Sequence, residues 1–135
     1  MEIKVRFSET DLLGHINNVS YFTYLEAARI DFLEQIGLKI STEKFVFILA
    51  SAKCDFIQQG YFGQTLKINT SVSRMGTKSL VLTSEMFDKE SGNLIAKGES
   101  ALVFFDRTEQ KSIILTDEII ESLQPYIQKL DKLES

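Results

Sequence analysis

The chain has 135 residues, a formal charge of −4, 44% hydrophobic residues and 25% charged residues. These values fit one soluble globular domain that can bury a core without covalent staples, and the acidic balance disfavours a nucleic-acid partner, which needs a basic face. A single cysteine, Cys54, and a single histidine, His15, exclude an intrachain disulfide and supply too few ligands for an ordinary zinc site.

The opening segment, Met1 to Phe7, lacks the apolar core of a signal peptide. No run approaches the roughly 18 apolar residues of a membrane span, so the cytoplasm is the expected location. Glu2 to Phe7 alternates, with Ile3, Val5 and Phe7 on one face, and predicts a strand. Ser8 to Ile16 reads as a loop. Asn17 or Asn18 then suits a helix N-cap, because an amide oxygen there can accept an unpaired N–H of the first turn. Tyr21, Leu25, Ala28, Phe32 and Ile36 recur at helical spacing. Gly37 stands where a helix stops, and Leu38 can pack back on the last turn.

Four strand-like segments follow. Lys44 to Gln58 is apolar on both faces from Phe45 to Ala50, which predicts a strand covered on both sides. Cys54 within it is expected to behave as a small buried hydrophobe. Leu66 to Arg74, Lys78 to Asp88 and Leu94 to Asp106 are joined by short glycine-containing turns and predict an antiparallel meander. Thr116 can cap a last helix from Asp117 to about Gln124, which Pro125 ends. The expected order is β–α–β–β–β–β–α, an α+β domain spanning residues 1–135.

The chemistry concentrates in Asp11-Leu12-Leu13-Gly14-His15-Ile16-Asn17-Asn18. An acid, a histidine and two amides meet there at a helix entrance, where unpaired backbone amides and about half a positive charge favour an anion. Asp11 suits a general base or a nucleophile. His15 suits orienting Asp11, polarising a carbonyl or protonating a leaving group. Gly14 allows close backbone approach, and the backbone amides of Gly14, Asn17 and Val19 are candidate oxyanion donors. Asn18 can hold the loop or contact a substrate. Each also has a plainer role: Asp11 and His15 as loop residues, Asn17 and Asn18 as caps, Tyr21 and Tyr24 as core, Glu26 as a polar partner of Arg29 or Arg6.

The run from Val5 to Arg29, with Glu9-Thr10-Asp11, Gly14-His15-Ile16-Asn17-Asn18, Tyr21, Tyr24, Glu26 and Ala28-Arg29, resembles the opening of hotdog-fold thioesterases. It is most similar to the 4-hydroxybenzoyl-CoA thioesterase-like and long-chain acyl-CoA thioesterase group, and its Gly-His-Ile-Asn-Asn core also resembles that of acyl carrier protein thioesterases. The resemblance implies one long helix wrapped by a curved five-stranded antiparallel sheet, plus the C-terminal helix. It implies a homodimer or homotetramer with sites near the helix N-termini, and an acyl thioester of coenzyme A or acyl carrier protein as substrate. It implies no metal or redox cofactor. Leu13 replaces an asparagine frequent in the acyl carrier protein branch, which tilts the expectation toward coenzyme A. The turn bearing Arg74, Lys78 and Ser79 is the candidate seat for coenzyme A phosphates. A non-catalytic acyl-CoA-binding module and a hotdog dehydratase or hydratase are the alternatives. The latter usually carries proline before the histidine, where Gly14 stands here.

Overall fold

In the computed structural model, which describes residues 1–38 and 44–128, the chain runs β1 (Glu2–Lys4), a 3-10 turn (Phe7–Glu9), α1 (Asn18–Gln35), β2 (Phe45–Phe56), β3 (Thr65–Met75), β4 (Ser79–Asp88), β5 (Leu94–Asp106), β6 (Lys111–Ser112), α2 (Asp117–Leu123) and a last 3-10 turn (Gln124–Tyr126). The strands form one antiparallel sheet in the order β1-β3-β4-β5-β2, with β6 paired to β5. Bulges at Leu49/Ser51, Val72/Arg74 and Met86/Phe87 bend the long strands. The sheet curls around α1, which is the hotdog arrangement.

Period-two alternation places Leu66, Ile68 and Val72 of β3, and Leu80, Leu82 and Met86 of β4, on the face toward α1, where all six are buried. The helix meets them in two clusters. Tyr21, Tyr24, Leu25 and Ala28 pack with Leu66, Ile68, Met86 and Ile95. Phe32 and Leu33 pack with Val72, Leu80, Leu102, Phe104 and, from α2, Ile119 and Leu123. Each fully buried aliphatic or aromatic side chain contributes roughly 1.5–3 kcal/mol of transfer free energy. Close approach of helix and sheet depends on Gly98 of β5, because a Cβ there would collide with the Leu25 side chain.

Both helix starts are capped by side chains. Asn17 Oδ1 accepts the Val19 N–H at 2.9 Å, and Thr116 Oγ1 accepts the Ile119 N–H at 3.2 Å. At the end of α1, Gly37 adopts φ +81° and the Leu38 N–H reaches the Leu33 carbonyl at 2.9 Å, so the chain closes the helix and turns away.

Three expectations change. The first strand ends at Lys4 rather than Phe7. The Glu9 carboxylate accepts the Arg6 N–H, which folds residues 7–9 into a 3-10 turn and swings Phe7 outward to 76% exposure. The sheet gains a sixth strand, Lys111–Ser112, beyond the five expected. Buried Asp106 makes that hairpin by accepting the Thr108 and Glu109 N–H groups at 2.9 and 3.0 Å. Finally, β2 is not covered on both sides: it ends the sheet, and Ile48, Leu49 and Phe56 stay exposed.

Candidate active site

Asp11 sits in a loop pinned at its base by a bridge between Thr10 and Ile16. The Asp11 N–H donates to the His15 carbonyl at 2.8 Å, and the Gly14 N–H donates to the Asp11 carbonyl at 3.0 Å. Asp11 Oδ1 accepts the backbone N–H groups of Leu13 at 2.9 Å and His15 at 3.1 Å. The aspartate thus folds its own loop, as short acidic side chains do in turns. Gly14 completes the turn at φ +78°, a conformation that a residue with a Cβ resists. Among the described residues no donor reaches Asp11 Oδ2, which leaves one carboxylate oxygen open. The residue is exposed and borders an open hollow of about 790 Å³ whose lining includes Phe7, Thr10, Leu12, Leu13 and Phe62.

His15 reaches Asp11 through its backbone. Its ring instead stands edge-on to Tyr61, with centroids 5.0 Å apart and planes at 80°. The Gly60–Phe62 turn lies beneath: the Ile16 N–H donates to the Gly60 carbonyl at 2.8 Å and the Phe62 N–H to the Gly14 carbonyl at 3.0 Å. Gly60 has no room for a side chain, since a Cβ would strike the Ile16 side chain and lie 3.0 Å from the Tyr21 hydroxyl.

The three expected oxyanion donors are already engaged. The Gly14 N–H serves the Asp11 carbonyl, the Asn17 N–H serves the Glu9 carbonyl at 2.8 Å, and the Val19 N–H serves the Asn17 cap. The first residue of α1, Asn18, is different. Its N–H and its exposed side chain make no hydrogen bond to another described residue, so the open amide at this helix start is Asn18 N–H.

Other residues fall elsewhere. Arg74 near the end of β3, Lys78 in the β3–β4 turn and Ser79 at the start of β4 lie beside the cluster that receives Phe32 and Leu33, the C-terminal end of α1. An 18-residue helix is about 27 Å long, so within the chain these residues stand far from Asp11. Glu26 is exposed and its charge acts on Arg29, as expected, while Arg29 also donates to Ser100 Oγ at 3.2 Å and Arg6 bonds Glu9. Tyr21 and Tyr24 are core. Cys54 lies half-buried on β2, and burial pushes its thiol up to about 11. Two neighbours of the site, Tyr61 and Glu9, carry no catalytic assignment from the sequence. Tyr61 had no local pattern to mark it, whereas Glu9 stands three residues after Arg6, a spacing that permits their pairing.

The family model of the thioesterase-like superfamily matches residues 5–123. The chain belongs to this superfamily. Members similar to it span nearly its whole length. YsmA of Bacillus subtilis, itself uncharacterized, is 31% identical over 122 residues, covering 90% of this chain and 82% of its own. The long-chain acyl-CoA thioesterase FadM of Escherichia coli is 25% identical over 128 residues, covering 93% and 97%. The solved structure of a predicted thioesterase from Bacillus stearothermophilus superimposes with a TM-score of 0.83 at 28% identity, covering 97% of both chains. The superfamily match contains the entire Asp11 loop and the whole of α1.

Proposed function

We propose that this thioesterase-superfamily chain hydrolyses acyl-CoA thioesters, with Asp11 as the reacting carboxylate and Asn18 N–H as a donor to the oxyanion. The observation that carries the reading is the state of Asp11. One oxygen is held by two loop amides while the other is open beside the hollow bordered by Phe7, Thr10, Leu12, Leu13 and Phe62. The carbonyl oxygen of a thioester set at Asn18 N–H meets a donor at the positive end of α1, and one such donor typically contributes roughly a hundred- to a thousandfold in rate. Asp11 Oδ2 then removes a proton from water as it attacks the carbonyl carbon, or attacks that carbon itself and is released by water. In either case the C–S bond breaks, the thiolate takes up a proton, and the products are a carboxylic acid and free coenzyme A. Coenzyme A is preferred over acyl carrier protein as the carrier, on the ground of Leu13 and of the acyl-CoA activity named for FadM.

The proposal includes a homodimer formed through β2. That strand is 12 residues long, ends the sheet, and exposes Ile48, Leu49 and Phe56. A long apolar edge is a template for pairing with a second copy. The test is a panel of acyl-CoAs followed by free-thiol release. Release from saturated substrates is expected. Hydration of an enoyl-CoA without thiol release, or binding without turnover, would replace the reading with a hydratase or a binding module.

A further inference from the structure

Glu9 lies two residues before Asp11 and performs no step of the chemistry proposed above, yet it ties three segments together. Its Oε1 accepts the Arg6 backbone N–H and the Tyr24 hydroxyl, both at 2.9 Å. Its Oε2 accepts Arg6 Nε at 3.0 Å and Nη2 at 2.9 Å. Its backbone carbonyl accepts the Asn17 N–H at 2.8 Å and the Ser20 hydroxyl at 3.2 Å. The exit of β1, the 3-10 turn and the first two turns of α1 therefore converge on one residue.

The physical chemistry favours a fixed geometry here. Burial alone would raise the Glu9 pKa, but the bonds from Arg6 and Tyr24 outweigh it and hold the carboxyl below its ordinary range. Burial and the Glu9 contact push the Tyr24 phenol up, so its hydroxyl remains a donor. Tyr24 is 2% exposed and belongs to the core, which makes it a rigid anchor. Charge-assisted bonds of this kind are stronger than neutral ones, whereas the exposed Arg6 pair alone would contribute little. The Asp11 loop begins at Thr10 and ends at Asn17. Glu9 is joined covalently to the first and by hydrogen bond to the second.

We propose that Glu9 is a positioning residue, held by Arg6 and buried Tyr24, that sets the Asp11 carboxylate against the first turn of α1. The proposal rests on the hydrolase reading, because the carboxylate it positions is the one proposed above to react. A misplacement of about 1 Å in a reacting constellation costs roughly a hundredfold. Loosening rather than removing the loop is expected to cost about tenfold in kcat, with KM within about twofold.

The experiment compares wild type, Glu9→Gln and Tyr24→Phe, each alone and in an Asp11→Asn background. It uses single-turnover thiol release from an acyl-CoA together with backbone amide exchange. The expected result is a loss of about tenfold in kcat for each single variant. In the Asp11→Asn background the further loss should be under about twofold, since the residual rate no longer uses the carboxylate. Faster exchange is expected at Leu13, His15 and Asn17, with core strands unchanged. Full kcat in folded Glu9→Gln and Tyr24→Phe, or an equal loss with and without the Asp11 carboxylate, overturns the positioning role. If wild type releases no thiol from any acyl-CoA, the hydrolase reading fails separately. The exchange measurement then still decides whether Glu9 holds the loop, and unchanged protection at Leu13 and His15 refutes it.

Discussion

The Asp11 carboxylate and His15 are joined through the backbone: Oδ1 accepts the His15 N–H at 3.1 Å, while the imidazole turns away to Tyr61. The pair therefore differs from an acid orienting an imidazole for proton transfer. One carboxylate oxygen closes the loop, and the ring stands edge-on to Tyr61.

His15→Ala should follow from that division. The variant keeps the N–H that Asp11 Oδ1 accepts and loses the edge-on contact with Tyr61. An aromatic contact of this type contributes about 0.5–1.5 kcal/mol. Steady-state hydrolysis should fall by less than about tenfold, well short of the hundredfold scale of a general acid or base. A loss as large as that of an Asp11 variant would return the ring to the chemistry.

Asn17→Ala removes the cap of α1 and leaves the Val19 N–H without its acceptor. The expected cost is about 1 kcal/mol in urea unfolding. Asn17→Asp, which keeps an acceptor at the positive helix end, should retain most of the stability.

Gly98→Val places branched carbon where Leu25 already lies. Overpacking of this kind costs about 1–3 kcal/mol, and a lowered Tm by calorimetry is the check. Because Leu25 lies between Tyr21 and Ala28 on the packed face of α1, hydrolysis should fall as the helix is displaced.

Leu49→Lys tests the β2 edge. Leu49 is 44% exposed in the single chain, so a lysine there is tolerated by the isolated fold and opposed by a second copy. Sedimentation should show a dimer for the wild type and a shift to monomer for the variant. A wild-type monomer would remove the proposed pairing.

The parts written in local pattern were legible in the sequence. The α1 stripe, its Asn cap and its Gly37 stop all depend on neighbours within a few residues, and β5 spans Leu94–Asp106 as the glycine-containing turn before it indicated. The two-residue β6 is too short to show a period, and it arises from the Asp106 turn. The first strand was read too long because a side-chain pair, Arg6 with Glu9, overrides the alternation at Phe7. The apolar run of β2 suggested cover on both sides, but an apolar run does not tell a central strand from an edge strand, and β2 lies at the edge. In the site, the motif named Asp11, whereas the open amide depended on which asparagine caps. With Asn17 in that role, Val19 N–H is engaged and Asn18 N–H is left open. The Glu9–Tyr24 bond joins residues 15 apart in sequence and exists only once the loop lies on the helix.

The most direct measurement is thiol release from an acyl-CoA by wild type and by Asp11→Asn, with circular dichroism and Tm recorded on the same samples. Asparagine offers an Oδ1 to the same two loop amides, so the loop should close as before and Tm should move little. Only the open carboxylate oxygen is lost. The expected result is an active wild type and a folded variant at least about a hundredfold slower. A folded Asp11→Asn protein that releases thiol at the wild-type rate would contradict the account.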